Sequence, residues 1–346
     1  MFRALQSWLE AEWYSNRKRT LPLWPLMLLF AAASSLRRWW FGWRPGAVYR
    51  ARIPVVVVGN LSVGGTGKSP VVAAIVDALQ RRGVKVGILA RGYGSSSDVP
   101  RRVDVNSPAH EVGDEPLMHA LATGAPVVVA RDRAAGARLL ESSGVEVIVC
   151  DDGLQHYALA RDLEVVVVDG ARGFGNGKLL PMGPLRESLS RLAGVDFLVV
   201  NGECSAALAA ALESSPFSGS RLSLQLFTAT PRQVAAPAKW QSLENFRGST
   251  VHAVAGIGHP QRFFASLRSA GLQLIEHSFA DHHPYTAVDL DFGDGRPILM
   301  TSKDAVKCRS FASPECWQVP VTPRLEPQDD GDLIERIALL LTARNH

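Results

Sequence analysis

Residues 53–69, Ile-Pro-Val-Val-Val-Val-Gly-Asn-Leu-Ser-Val-Gly-Gly-Thr-Gly-Lys-Ser, leave this chain few folds to choose from. The four valines from Val55 to Val58 read as a strand buried on both faces. A glycine-rich loop follows, and then Lys68-Ser69 open a helical pattern from about Val71 to Arg82. Strand, loop, Gly-Lys-Ser and helix together form a P-loop. Its logic is electrostatic. Gly64, Gly65 and Gly67 let several N–H groups converge on one spot, and the helix N-terminus adds its positive end there. The expected phosphate cradle is Ser62, Gly64, Gly65, Thr66, Gly67, Lys68 and Ser69, with Lys68 on the outer phosphates and the Ser69 hydroxyl on Mg²⁺. One departure stands out: the pattern G-x-x-x-x-G-K-[ST] has Ser62 in place of its first glycine. The bland alternative is a glycine-rich turn without a ligand, and the strand and helix around it argue against that.

With 346 residues, 47% of them apolar and 20% charged, the chain is a globular protein of about two domains. Its charge is uneven. Residues 1–54 hold nine Arg or Lys and two Glu, which is +7; with +4 overall, the remainder carries −3. The body of the protein therefore offers no basic surface for nucleic acid. Cys150, Cys204, Cys308 and Cys316 form no C-x-x-C pair, so neither a zinc site nor a disulfide framework is expected, and a reducing compartment fits.

Residues 1–52 form a separate segment. Leu21 to Ala33 is apolar and uncharged, with Arg17-Lys18-Arg19 before it and Arg37-Arg38-Trp39-Trp40-Phe41-Gly42-Trp43-Arg44 after it. The run is too short for a comfortable span and carries Pro22 and Pro25. Tryptophan beside arginine matches a membrane interface with anionic headgroups. The expectation is a helical, membrane-associating anchor on the cytoplasmic face. A hairpin packed on the protein's own core and a single span are the alternatives.

From Ile53 to about Gly202, apolar strand candidates (Val55–Val58, Val84–Leu89, Pro126–Ala130, Val145–Cys150, Val165–Asp169, Phe197–Val200) alternate with helical patterns at Pro70–Arg82, Pro116–Thr123, Arg133–Ser143 and Leu185–Ala193. This predicts an α/β, P-loop NTPase-like unit: a mostly parallel sheet with helices on both faces, and ligands at the carboxyl ends of its strands. The informative polar residues stand at those ends. Val145–Cys150 runs into Asp151-Asp152-Gly153-Leu154-Gln155-His156, a Walker B form whose carboxylates are expected on Mg²⁺. The glycine-rich stretch 170–187 has few side chains to build core and is expected to be mobile or ligand-facing. Within it Arg186 is a candidate for a phosphate and Glu187 for the metal's shell.

A domain boundary is expected at 226/227. A smaller α/β unit, 227–346, then has strands at Val251–Ala255, Leu272–Glu276 and Pro297–Thr301, a helix at Gln261–Ala270, and a closing helix between Gly331 and Leu341. Asp281-His282-His283 does not have metal-ligand spacing and fits acid–base work better.

These stretches together resemble the lipid A 4′-kinases (tetraacyldisaccharide 4′-kinases) of Gram-negative bacteria. The resemblance spans nearly the whole chain. It rests on Val-Gly-Asn-Leu-Ser-Val-Gly-Gly-Thr-Gly-Lys-Ser, Arg-Gly-Tyr-Gly, Gly-Asp-Glu-Pro, Asp-Asp-Gly-Leu-Gln-His, Pro-Leu-Arg-Glu, Gly-Ile-Gly-His-Pro, Phe-Ala-Asp-His and Ser-Lys-Asp-Ala-Val-Lys. The family shares Ser62; it often has Glu where this chain has Ser302 and Phe where it has Leu154. The resemblance implies transfer of the ATP γ-phosphoryl group to the 4′-hydroxyl of a tetraacyl glucosamine disaccharide 1-phosphate, with Mg²⁺, at the inner face of the inner membrane. It places the catalytic pair on Asp114 and His282, leaving His283 as an alternative to His282. It places Arg91, Tyr93, Gln155, His156 and Arg186 where they would meet the disaccharide or its phosphates. The metal set on this reading is Ser69, Asp151, Asp152 and Glu187. A rival reading is a membrane-associated P-loop NTPase acting as a hydrolysis-driven switch, which needs no Asp–His pair and no lipid acceptor.

Overall fold

In a computed structural model of the chain, residues 2–15, 20–92, 99–327 and 332–344 are described. Two helices lead: α1 (Phe2–Trp13) and α2 (Trp24–Trp43). The P-loop strand β1 (Val55–Gly59) and helix α3 (Lys68–Arg81) come next, then β2 (Val86–Ala90), β3 (Arg101–Val103), the short α4 (Ala109–Val112) and α5 (Asp114–Thr123). There follow β4 (Val127–Val129), α6 (Arg133–Glu141), β5 (Val147–Asp151), β6 (Leu163–Asp169), β7 (Phe197–Asn201), α7 (Ala206–Glu213) and β8 (Ser220–Thr228).

Alternation builds this part. Val55 and Val57 face one side of the sheet, with Ile148, Cys150, Val166 and Val168. Val56 and Val58 face the other, with Val147, Val149, Val165 and Val167. Each strand thus feeds two cores, as a sheet covered on both faces requires. The valine run is continuous because neither face meets water. Helix α3 supplies Val71, Val72, Ile75, Val76 and Leu79, spaced to line one helical face, and all five are buried.

The smaller unit comprises β9 (Arg232–Gln233), β10 (Thr250–Ala255), α8 (Pro260–Ser269), β11 (Gln273–Ser278), β12 (Ile298–Thr301), α9 (Ser302–Cys308) and β13 (Cys316–Val319). Its sheet has the order β11-β10-β12-β13-β9. The chain then returns to the first unit through β14 (Val321–Pro327) and α10 (Leu333–Arg344). Among the described residues the larger sheet has nine strands, ordered β14-β8-β7-β6-β1-β5-β2-β4-β3, parallel except for β3 and β14 at its edges.

Three expectations change here. The boundary at 226/227 falls inside β8, whose pairing with β7 and β14 carries the first sheet on to Thr228. The closing helix packs on the first unit, with Leu333 and Ile337 in the core beneath α3, so 227–346 is not one continuous domain. And the helix expected at Leu185–Ala193 is replaced by a 3₁₀ turn at Leu189–Gly194. The Leu185 N–H donates to the Lys178 carbonyl and the Arg186 N–H to the Leu61 carbonyl, so these backbone groups are committed to bridges.

The N-terminal helices differ from each other. Trp13 of α1 is buried, and its Nε1 donates to the Pro181 carbonyl at 3.0 Å. Helix α2 buries none of its side chains, and Trp24, Leu29, Trp39 and Trp43 stand open to solvent. No helix among the described residues is long and apolar enough to cross a membrane.

Candidate active site

The P-loop curls as its glycines allow. Gly67 has φ +98°, and a Cβ there would come within 2.4 Å of the Asn201 side chain, so this position needs glycine on both counts. The same Asn201 Nδ2 donates to the Thr66 carbonyl at 3.0 Å, pinning the loop from the end of β7. Gly64, Gly65, Thr66, Gly67, Lys68 and Ser69 all border one cavity of about 1840 Å³. Ser62 does not. It is buried below the loop in an antiparallel bridge with Leu185, and the adjacent Val63 N–H donates to the Pro184 carbonyl at 2.9 Å. The chain is extended here, which removes the need for a glycine. The expected place of Ser62 in the phosphate cradle is therefore corrected to support of the loop from beneath.

The acidic turn after β5 faces the P-loop. Lys68 Nζ lies 3.5 Å from Asp152 Oδ1, and Arg186 lies 3.3 Å from the same carboxylate. Burial alone raises the Asp152 carboxyl, but Lys68 and then Arg186 outweigh it and hold it at about 2. Asp152 also has φ +49°, a left-handed conformation uncommon for a residue with a side chain and typical of places where function fixes the backbone. Asp151 is almost fully enclosed. Its Oδ2 lies 2.8 Å from His119 Nε2, whereas its Oδ1 is buried with no hydrogen-bond partner. A buried carboxylate oxygen without a protein partner has its lone pairs open to a water or a cation. Ser69, Asp151 and Asp152 are hard oxygen donors suited to Mg²⁺.

Glu187, expected beside them, has other partners. Its buried carboxylate accepts from Tyr157 Oη and, at 3.4 Å, from Gln155 Nε2, and Arg191 lies 3.9 Å away. These contacts brace it in the wall of the cavity that it borders together with Ser69, Asp151 and Asp152. Gln155 also donates to the Asn60 carbonyl at 3.2 Å, and its Oε1 accepts from Arg186 at 3.5 Å. His156 is kept neutral: burial first, then Arg133 and Arg91, push its pKa down to about 3. Arg91 lies exposed on the same cavity wall. Tyr93 lies outside the described residues.

The opposite wall comes from the smaller unit. His282 Nδ1 lies 3.2 Å from Asp114 Oδ2, joining residues 168 positions apart. His282 is in the left-handed region at φ +58°, the other such non-glycine residue among those described. Its neighbour His283 turns away, 3.6 Å from Asp289 and with its ring against Phe279. Asp114 opens α5, where the helix N-terminus favours a carboxylate. Burial raises its carboxyl, but the His282 hydrogen bond, then Lys307 at 3.7 Å, bring it below the usual range. Lys303, one turn before Lys307 on α9, bridges Glu115 at 3.1 Å and Asp281 at 3.0 Å.

Two further cross-cleft contacts complete the enclosure. Arg262 of α8 reaches Asp169, at the end of β6, at 3.0 Å. The Gly256–Pro260 turn lies against the P-loop, so that a Cβ on Gly258 would stand 3.4 Å from the Gly65 nitrogen. Asn201, Arg262, Lys303 and Lys307 were absent from the residues expected at the site. Asn201 ends a strand as Asp151 does, and the Lys303/Lys307 pair shows the i,i+4 spacing of one helix face, so both signals stood in the sequence. Arg262 had none.

A cradle of P-loop amides, a lysine, a strand-end acid pair and a facing Asp–His pair define a P-loop phosphotransferase site. The comparisons agree. The family model for tetraacyldisaccharide-1-P 4′-kinase, LpxK, matches residues 19–340, and the chain belongs to that family. It is 49% identical over 324 residues to the tetraacyldisaccharide 4′-kinase of Alkalilimnicola ehrlichii, covering 93% of each chain. It is 48% identical to that of Aeromonas hydrophila, covering 92% of each. The crystal structure of LpxK from Aquifex aeolicus in complex with ATP is similar, with a TM-score of 0.75 and 27% identity over 94% of this chain and 99% of that one.

Proposed function

We propose that this chain transfers the γ-phosphoryl group of ATP to the 4′-hydroxyl of a tetraacyl glucosamine disaccharide 1-phosphate, working at the cytoplasmic face of the bacterial inner membrane. The observation that carries this reading is one cavity bordered by the P-loop, by Asp114 and His282, and by Phe30 and Arg37 of α2. Phosphoryl donor, base and an apolar, cationic helix thus share one space. That combination fits an acceptor that is both an alcohol and a lipid.

The P-loop amides and Lys68 bind the phosphates. Ser69, Asp151 and Asp152 are the residues that would hold Mg²⁺, which neutralises phosphate charge when bound. Arg91, Gln155, His156 and Arg186 line the acceptor side, and the neutral His156 hydrogen-bonds a sugar without adding charge. Asp114 orients the 4′-hydroxyl. Held below the usual carboxylate range, it is a weak base, so it takes the proton as the new O–P bond forms and the old bridging P–O bond breaks. His282 and Lys307 keep Asp114 ionised and aimed. Helix α2 lays Trp24, Leu29, Trp39 and Trp43 on the membrane, with Arg37, Arg38 and Arg44 for anionic headgroups. A hydrolytic switch needs neither an Asp–His pair nor this lipid-facing wall.

The test is an assay of ATP and Mg²⁺ with the full chain, with and without a tetraacyl disaccharide 1-phosphate. A new phosphomonoester on the lipid at the 4′ position is expected. ATP turnover that ignores the lipid would overturn the reading.

A further inference from the structure

Two groups pack behind Asp151, Arg133 and His119. Arg133 is fully buried; its guanidinium donates to the Asp151 carbonyl at 2.8 Å and to the Leu89 carbonyl at 2.6 Å. This ties together the ends of β5 and β2 and fixes the main chain of Asp151. The carboxylate remains free to rotate about its side-chain bonds. His119 removes that freedom, with its Nε2 2.8 Å from Oδ2 and only 1% of its side chain exposed.

We propose that His119 is a positioning residue: it holds Asp151 so that the unpartnered Oδ1 is presented to the divalent cation that accompanies ATP. The role rests on the phosphotransfer reading only for the identity of that ion. His119 is not itself a ligand. It is buried behind Asp151 and does not border the cavity. With Nε2 donating to Oδ2, the carboxylate's other oxygen is the one left for the ion, and a rotation of the group would bury the wrong lone pairs. Outer hydrogen bonds of this kind set the direction of a ligand more than its charge.

Helix α5 has Asp114 at its first residue and His119 five residues on. One rigid helix therefore presents the proton acceptor to the smaller unit and, on its other side, grips the metal carboxylate. The spacing between base and cation is fixed by a single element, not by two loops.

A purely structural role, filling space between α5 and β5, predicts lost stability with no change in metal dependence. The full chain is therefore compared with His119→Leu and His119→Ala, which remove the donor, and His119→Gln, whose amide can replace it. ATP binding is measured by calorimetry with and without Mn²⁺, and the ratio of the two affinities is the readout. In whichever of the Leu and Ala variants folds, the Mn²⁺-dependent gain is expected to fall about tenfold, with metal-free ATP affinity unchanged. His119→Gln is expected to restore the gain. An undiminished gain in the donor-less variants, or an equal loss in His119→Gln, would overturn the proposal. The measurement needs no lipid: a wild-type chain that binds Mn²⁺ and ATP as expected but leaves the disaccharide unphosphorylated would defeat the functional reading and not this one.

Discussion

Lys68 stands between two duties. It balances Asp152 at 3.5 Å in the structure, and on the proposed mechanism it moves its charge to the phosphates. Lys68→Ala leaves the β1 and α3 packing untouched, because the side chain contributes nothing to either core. Turnover at saturating ATP and lipid should drop by about 10² to 10³, the scale of losing one preorganised charge contact; near wild-type lipid phosphorylation would show that the lysine is elsewhere during reaction. His156 gives a prediction in pH. Its folded pKa lies near 3, below the 6.5 of an exposed imidazole. Between those values the unfolded chain binds the extra proton, so stability falls as pH drops from about 6.5 toward 3, and no such dependence exists above 6.5. Urea midpoints across that range should fall less steeply for His156→Gln than for wild type; identical slopes would mean the imidazole titrates normally. At this scale the P-loop and Asp151-Asp152 were legible because each is a contiguous motif on a strand end. Ser62 was misplaced because its bridge partner Leu185 comes from a distant turn that no spacing rule predicts, and the hydrogen bond from Tyr157 to Glu187 was hidden for the same reason.

Among elements, the strands of the central sheet were the most legible, since burial on both faces leaves an unbroken apolar run. Edge strands were not. β14 contains Pro323 and Pro327, which argue against a strand in sequence and are tolerated because β14 is an edge, paired only with β8. The stretch 170–187 was expected to hold little core, yet Phe174, Met182 and Leu185 are buried in it. Phe174 and Leu185 join the core on one face of the sheet, and α1 braces the stretch from outside: the Asn176 N–H donates to the Trp13 carbonyl at 2.8 Å, a contact between segments more than 150 residues apart. That contact separates the roles of the two N-terminal helices. Deleting both would loosen the loop that bears Arg186 and confuse anchoring with catalysis. Substitution in α2 alone is the cleaner test. Leu29→Glu, Trp39→Glu and Trp43→Glu together should abolish flotation with liposomes of anionic lipid, because three apolar side chains leave the interface and three charges enter it. ATP affinity should be unchanged. Undiminished flotation would remove α2 from the anchor.

At the scale of the whole molecule, the site exists only where the two units meet. Val306 of α9 packs with Val112 and Leu117 of the larger unit, so an apolar contact supports the polar ones. Around it lie His282–Asp114, Lys303–Glu115 and Arg262–Asp169. These pairs are partly exposed, and individually each contributes little to holding the cleft shut. Their arrangement matters more: only with the smaller unit seated do His282 and Lys307 reach Asp114 on the wall of the P-loop cavity. No periodicity in the sequence reports this contact; the resemblance alone paired Asp114 with His282, and the geometry separates His282 from His283. If the two act as one device, removing either should disable it. Asp114→Ala and His282→Ala are each expected to lower the single-turnover rate by about 10² to 10⁴, with ATP affinity little changed. The double variant should then be not much slower than the poorer single variant, since the second substitution removes a partner already idle. Losses that multiply would mean that Asp114 and His282 serve separate steps. A crippled His283→Ala beside a normal His282→Ala would mean that the Asp281–His283 turn rearranges when the lipid binds.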